Sequence, residues 1–244
     1  MSTPAYAYSL ASRIFSSLSD PRPWILSRTL RSDNPADLNG ELKGTASFLL
    51  NYENITDAGI SGLLYTEEGE MPGAAGNNTA GLRWTRKYIW RLSPSPLLTK
   101  EKEAASAPRE QPAKGDSYLS IWFVKLQKPA SDVKHGECAP GAEDRNEPDY
   151  IFHELDIQFD GDEVLSTKQP GSMVPYPISP PPAEESNTRV VIARGQHLCI
   201  NDDYQTVYAF RMGNGPSGRV LSWSSRHVVR GPKKNQDIVN LYSR

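Results

Sequence analysis

From Trp24 onward the chain alternates apolar and polar residues with a period of two, in segment after segment. Successive side chains of an extended strand point to opposite faces, so this pattern belongs to strands with one buried face. Trp24–Leu30 sets Trp24, Leu26 and Arg28 against Ile25, Ser27 and Thr29, and Leu42–Tyr52 repeats the alternation through Phe48. Further runs occupy Gly62–Met71, Leu82–Leu92, Tyr118–Leu126, Tyr150–Phe159, Arg189–Ile200, Tyr204–Met212, Arg219–Val229 and Asp237–Ser243. That makes about ten strands bounded mostly by turn signals, which indicates an antiparallel all-β barrel or sandwich.

Only the N-terminus departs from this period. Leu10, Ile14 and Leu18 recur at four-residue steps with Phe15 beside them, which predicts a short helix within 1–20 that ends at Asp20-Pro21. A second departure lies in three long connections, 93–117, 127–149 and 166–188, rich in Pro, Lys, Glu and Ala. Such composition buries too little apolar area to offset the entropy of ordering, so these read as mobile polar loops within one domain spanning 1–244. The turn Ile200–Asp203 is tight and predicts a hairpin.

Composition narrows the function classes. The formal net charge is -2, and the few basic residues near Arg226, Arg230, Lys233 and Lys234 are too sparse for a nucleic-acid footprint. No stretch approaches the roughly 18 apolar residues of a membrane helix, and Met1–Leu18 lacks the pattern of a secretory leader. The expectation is a cytoplasmic protein with no membrane partner and no nucleic-acid partner. Cys138 sits in a loop pattern and Cys199 in a strand, so no disulfide framework is expected.

The informative positions are polar residues on an apolar face. Arg86 shares a face with Leu82, Trp84, Tyr88, Trp90 and Leu92; a buried guanidinium there needs a partner, either a structural carboxylate or a ligand anion. Glu67, with Tyr65 on the face of Leu63, is a candidate counter-charge for Arg86, unless Tyr65–Gly69 is an exposed strand end. His153 shares a stripe with Ile151, Leu155 and Ile157, opposite Phe152, and reads as a satisfied core histidine or as an acid/base group. His197 and Cys199 share one face, about 7 Å apart, too far for direct activation of the thiol. His227 lies with Leu221, Trp223 and Val229. Each is explicable alone, but their accumulation suggests a lined cavity, as in barrels that hold one small ligand.

Seven segments together resemble the domain-of-unknown-function family 6314 (DUF6314). They are Trp24–Arg28, Gly40–Phe48, Tyr65–Gly69, Arg86–Trp90, Phe152–Asp156, His197–Tyr204 and Trp223–Lys234, in order along nearly the whole chain. The resemblance implies a calycin-type barrel, similar in shape to lipocalins, and implies no activity.

The leading reading is therefore a ten-stranded, calycin-like barrel that binds a small, mainly apolar ligand with an acidic or carbonyl group, without a cofactor. Arg86 would anchor the oxygen, His153 and His197 would hydrogen-bond it, and Trp84, Tyr88, Trp90 and Trp223 would form walls. The alternatives are a cofactor-independent isomerase, cyclase or hydrolase with His153 or His197 as acid/base, a haem-binding barrel, and a protein-interaction module. The pocket readings require Arg86, His153 and His197 to converge on one open cavity. Oligomeric state is not legible.

Overall fold

The computed structural model describes residues 9–51, 59–71, 82–94, 117–126, 146–158, 175–214, 218–232 and 234–244. It contains helix α1 (Leu10–Leu18) and strands β1 (Trp24–Ser32), β2 (Gly40–Leu50), β3 (Ser61–Glu70), β4 (Arg83–Pro94) and β5 (Ser117–Val124). The remaining strands are β6 (Pro148–Gln158), β7 (Thr188–Cys199), β8 (Asp202–Gly213), β9 (Val220–Arg230) and β10 (Asn235–Ser243). Each strand pairs antiparallel with its neighbours in sequence, and β1 pairs with β10, so the ten strands form one closed barrel. Each described strand has a neighbour on both sides, although β6 and β7 pair only through Asp156–Gln158 and Ile192–Arg194. Among the described residues no helix is long and apolar enough to cross a membrane.

The inward residues follow the alternation read from sequence. Trp24 and Leu26 of β1, Ala46 and Phe48 of β2, and Leu63 and Tyr65 of β3 are all buried in one continuous core. The predicted hairpin is present, with Ile200 and Asn201 as its two turn residues between β7 and β8.

Helix α1 closes one end of the barrel. Ser9 caps it by accepting from the Ser12 amide at 3.2 Å, and Ala11, Ile14, Phe15 and Leu18 are buried in the barrel core. Ser17 Oγ accepts from the Val220 amide at the start of β9, which ties the helix to that rim.

Among the described strands the register shifts at three places, twice between β5 and β6 and once between β8 and β9 at Arg211/Met212. In the β5–β6 pair Ile121 faces His153 but Trp122 faces Ile151, so Phe152 is an extra residue in β6. This β-bulge buries both Phe152 and His153, where the simple alternation set them on opposite faces. Space for the imidazole comes from Gly195 on β7, where a Cβ would lie 2.4 Å from His153 Cδ2.

The expected loops 93–117 and 127–149 fall mostly outside the described residues, as does 159–174. The rest of the third loop is packed rather than solvated. Pro175, Pro177 and Pro180 are buried against the outer faces of β7–β9. Their strap is held through its carbonyls: Arg194 Nη1 donates to Pro175 at 3.0 Å, Arg211 Nε to Pro181 at 3.1 Å, and Ser224 Oγ to Ile178 at 2.5 Å. Outward-facing Val190, Ile192, Val207 and Ala209 form a second buried cluster on this side. Proline lacks a backbone donor but keeps its carbonyl, so a proline-rich segment can be fixed by side-chain donors alone.

Candidate functional site

A cavity of about 260 Å³ opens at the end of the barrel away from α1. It has two unlike walls. Aromatic side chains from β4, β5, β6 and β8 form one, including Tyr88, Trp90, Phe123, Phe152, Tyr204 and Tyr208. The other is polar and comes from β1, β3, β9 and β10, through Arg28, Glu67, Ser225, His227, Gln236 and Asn240. Trp223 and Tyr242 stack face to face between them, with centroids 3.5 Å apart.

The polar wall is a continuous hydrogen-bond network. Arg28 Nη2 donates to both carboxylate oxygens of Glu67, at 2.6 and 2.7 Å, and Arg28 Nε donates to Asn240 Oδ1 at 2.6 Å. Tyr65 donates to Glu67 Oε2 at 2.7 Å, so its oxygen is left to accept from the Tyr242 hydroxyl at 2.9 Å. Asn240 Nδ2 donates to Ser225 Oγ at 2.9 Å. Ser225 Oγ lies 3.1 Å from His227 Nε2, and Thr206 Oγ1 lies 3.0 Å from His227 Nδ1. A buried charge pair survives only with its remaining donors and acceptors satisfied, and this one has them.

Burial sets the protonation states here. His227 is pushed down to about 3 by burial and by the cations Arg28 and Arg86, so its imidazole is neutral. His153 is also pushed down to about 3, by burial and by His227 and His197. Burial raises the Tyr65 and Tyr208 phenols well above their ordinary range, which keeps both protonated as donors.

Of the residues singled out in the sequence, Tyr65, Glu67, Arg86, Tyr88, Trp90, Trp223 and His227 line the cavity. Four do not. Trp84 is half-buried beneath the Arg28 guanidinium, 5.0 Å from its ring centroid. His153 lies behind Tyr208, its Nε2 3.1 Å from the phenol oxygen. His197 is half-buried in an aromatic cluster with Phe152, Phe123 and Tyr204, and Cys199 is a free, half-buried thiol at the end of β7. The expected convergence of Arg86, His153 and His197 is thus met by Arg86 alone, and the cavity is assembled around other residues.

Arg86 itself is exposed at the cavity mouth rather than buried in its aromatic row. Glu67 sits directly across from it on β3, yet its carboxylate goes to Arg28, two strands away. Glu67 is buried, while Arg86, near the start of β4, reaches solvent. Arg28 was not singled out from the sequence, although it shares the alternation of Trp24 and Leu26 and so carried the same signal as Arg86. Tyr204, Tyr208, Asn240 and Tyr242 also belong to the cavity and are not among the residues singled out from the sequence.

Among the described residues no group of three His, Cys, Asp or Glu is placed to hold a metal ion. His227 has hydrogen bonds at both nitrogens, which leaves neither for axial ligation of an iron.

Strands β7–β10, which supply much of the polar wall and the Trp223–Tyr242 stack, also carry the recognisable sequence. Residues 179–244 match the Family of unknown function (DUF6314). The DUF6314 match covers His197–Tyr204 and Trp223–Lys234 among the seven resembling segments; the other five precede it. Within it lie Tyr204, Tyr208, Trp223, Ser225, His227 and Asn240 of the cavity. The closed ten-stranded barrel is consistent with the calycin-like architecture that the DUF6314 resemblance implies. No curated protein and no solved structure matches the chain.

Proposed function

We propose that the barrel binds a small, mainly apolar ligand carrying an acidic or carbonyl group, in the cytosol and without a cofactor. The observation that carries this reading is Arg86: a guanidinium at the mouth of an aromatic cavity, with no hydrogen bond or ion pair among the described residues. A cation in that place attracts an anion or a carbonyl oxygen, while the stacked and edge-on rings behind it accept an apolar body. The volume, about 260 Å³, lies just under the ~300–1,000 Å³ range of drug-sized sites, which argues for a compact molecule.

Binding is favoured over turnover because acid/base chemistry needs a group free to exchange a proton with the ligand. Glu67 already accepts from two residues, His227 is engaged at both nitrogens, and His153 lies behind Tyr208. Titration of the purified chain with 2-naphthoate, followed by the fluorescence of Trp90 and Trp223, tests the reading. Saturable quenching is expected, with affinity about tenfold weaker in Arg86→Gln, the loss appropriate to a charge-assisted hydrogen bond. Absence of saturable binding by apolar acids, together with no small molecule carried by the protein in native mass spectrometry, overturns it.

A further inference from the structure

The polar groups of the cavity differ in what they have left to offer a ligand. Glu67 is the only carboxylate among the described lining residues, and Arg28 and Tyr65 already engage both its oxygens. Asn240 Oδ1 accepts from Arg28, and Ser225 Oγ accepts from Asn240. What remains uncommitted is mostly donors. Among the described residues Arg86 has no hydrogen bond or ion pair, and Arg28 uses Nε and Nη2 but has no hydrogen bond at Nη1. The Tyr204 oxygen accepts from Lys234 Nζ at 2.6 Å, which leaves the Tyr204 proton to be donated. Gln236 gives Nε2 to Asp37 and keeps its oxygen, a neutral acceptor.

Tyr208 joins the donors through His153. The His153 ring is buried and neutral, and its Nδ1 has no partner among the described residues. An orphaned N–H in a protein interior is rarer and more costly than a bare lone pair. The proton therefore sits on Nε2 and is donated to the Tyr208 oxygen, so the Tyr208 hydroxyl hydrogen is free to turn into the cavity it lines. His153 is thus a positioning residue that sets the polarity of a phenol.

We propose that the ligand presents hydrogen-bond-accepting oxygens at two separate places, one met by Arg86 at the mouth and the other within by Tyr208, with Arg28 Nη1 as a further donor in the wall, and that the cavity excludes amines. Strands β4 and β8, which carry Arg86 and Tyr208, are separated by three strands one way round the barrel and five the other, and Arg86 is exposed at the mouth whereas Tyr208 is buried. An oxygen bound at each spans the lumen. The ligand class is a flat apolar acid with a second carboxylate or oxo group. An ammonium would meet Arg28, Arg86 and Lys234 with no carboxylate free to pair with it, and desolvating it there would go uncompensated. The inference rests on the reading that this cavity binds a small ligand.

Isothermal titration of the full chain with benzoate, the three benzenedicarboxylate isomers and benzylammonium tests it. One dicarboxylate isomer is expected to bind at least about tenfold more tightly than benzoate, with the favoured isomer reporting the spacing, while benzylammonium gives no heat. Arg86→Gln and Tyr208→Phe should each remove that gain and leave the weaker benzoate-like binding. Arg28→Met should act likewise, and if it fails to fold, Tyr208→Phe removes an inner donor without touching the ion pair. Equal affinity for benzoate and all three dicarboxylates, or a gain that survives Tyr208→Phe, overturns the two-point inference while cavity binding stands. Benzylammonium binding as tightly as benzoate overturns the exclusion of amines. If neither these acids nor 2-naphthoate bind, the binding reading itself fails and takes the inference with it.

Discussion

Arg28 on β1 and Glu67 on β3 form an ion pair inside the barrel, 2.6 Å apart, with side chains only 4% and 2% exposed. Strand β2 lies between their strands, so the pair crosses the lumen side of a neighbouring strand rather than following the ladder. Its stabilising value is conditional. Removing one partner leaves a buried charge alone, whereas removing both removes the desolvation problem as well.

Arg28→Met and Glu67→Leu should each therefore destabilise the fold by about 3–5 kcal/mol. The double variant should recover at least half of the summed loss, because the two charges disappear together. Urea denaturation of the four proteins checks this. Additive losses in the double variant would show that the two residues contribute independently.

The two buried histidines make the fold acid-sensitive. Both stay neutral in the folded chain down to about pH 3, whereas an unfolded histidine protonates near 6.5. Between those values the unfolded state binds more protons, so stability is full above pH 6.5 and is lost as the pH falls toward 3. Each histidine contributes a slope on the order of 1 kcal/mol per pH unit across that window. Urea midpoints should fall steadily as the pH drops below the ordinary histidine value, and His227→Asn should make the fall shallower. Identical slopes in the two proteins would contradict this account.

Gly195 is required by the imidazole across from it. A Cβ there would sit 2.4 Å from His153 Cδ2 and 2.7 Å from its Cγ. Gly195→Ala should cost about 1–3 kcal/mol, the usual range for overpacking a core. Adding His153→Ala should relieve part of it, since the small side chain vacates the contested space. Thermal melts of the single and double variants measure the coupling.

Ile200 occupies a left-handed backbone conformation, φ 57, at the tip of the β7–β8 hairpin, with 88% of its surface exposed. A β-branched residue there brings strain and gains little burial in return. Ile200→Gly or Ile200→Asn should raise stability by roughly 1 kcal/mol, the cost of a left-handed conformation at a residue with a Cβ. A loss of stability in both variants would mean that the side chain has a packing role.

Much of the fold is legible from residue order. The alternation from Trp24 to Ser243 locates ten strands, and the four-residue steps of Leu10, Ile14 and Leu18 locate α1. Pattern also places Tyr65, Glu67, Tyr88, Trp90, Trp223 and His227 on the inner face, where the cavity is. It misplaces what depends on a break in the pattern, such as Phe152, which enters the lumen through a bulge. The proline strap was misjudged for another reason: composition gives its ordering entropy but not the arginines and serines of β7–β9 that accept it as a partner.

A period of two is a local property of extended backbone, so residue order alone is enough to specify antiparallel strands with one apolar face. Which polar residue meets which was decided only by the tertiary structure. Glu67 is two strands from Arg28 and directly across from Arg86, yet it pairs with Arg28. Barrel closure and shear set the height of each inward side chain, leaving one arginine neutralised in the wall and the other free at the mouth. That choice depends on distances across the lumen, and no spacing along the chain encodes them.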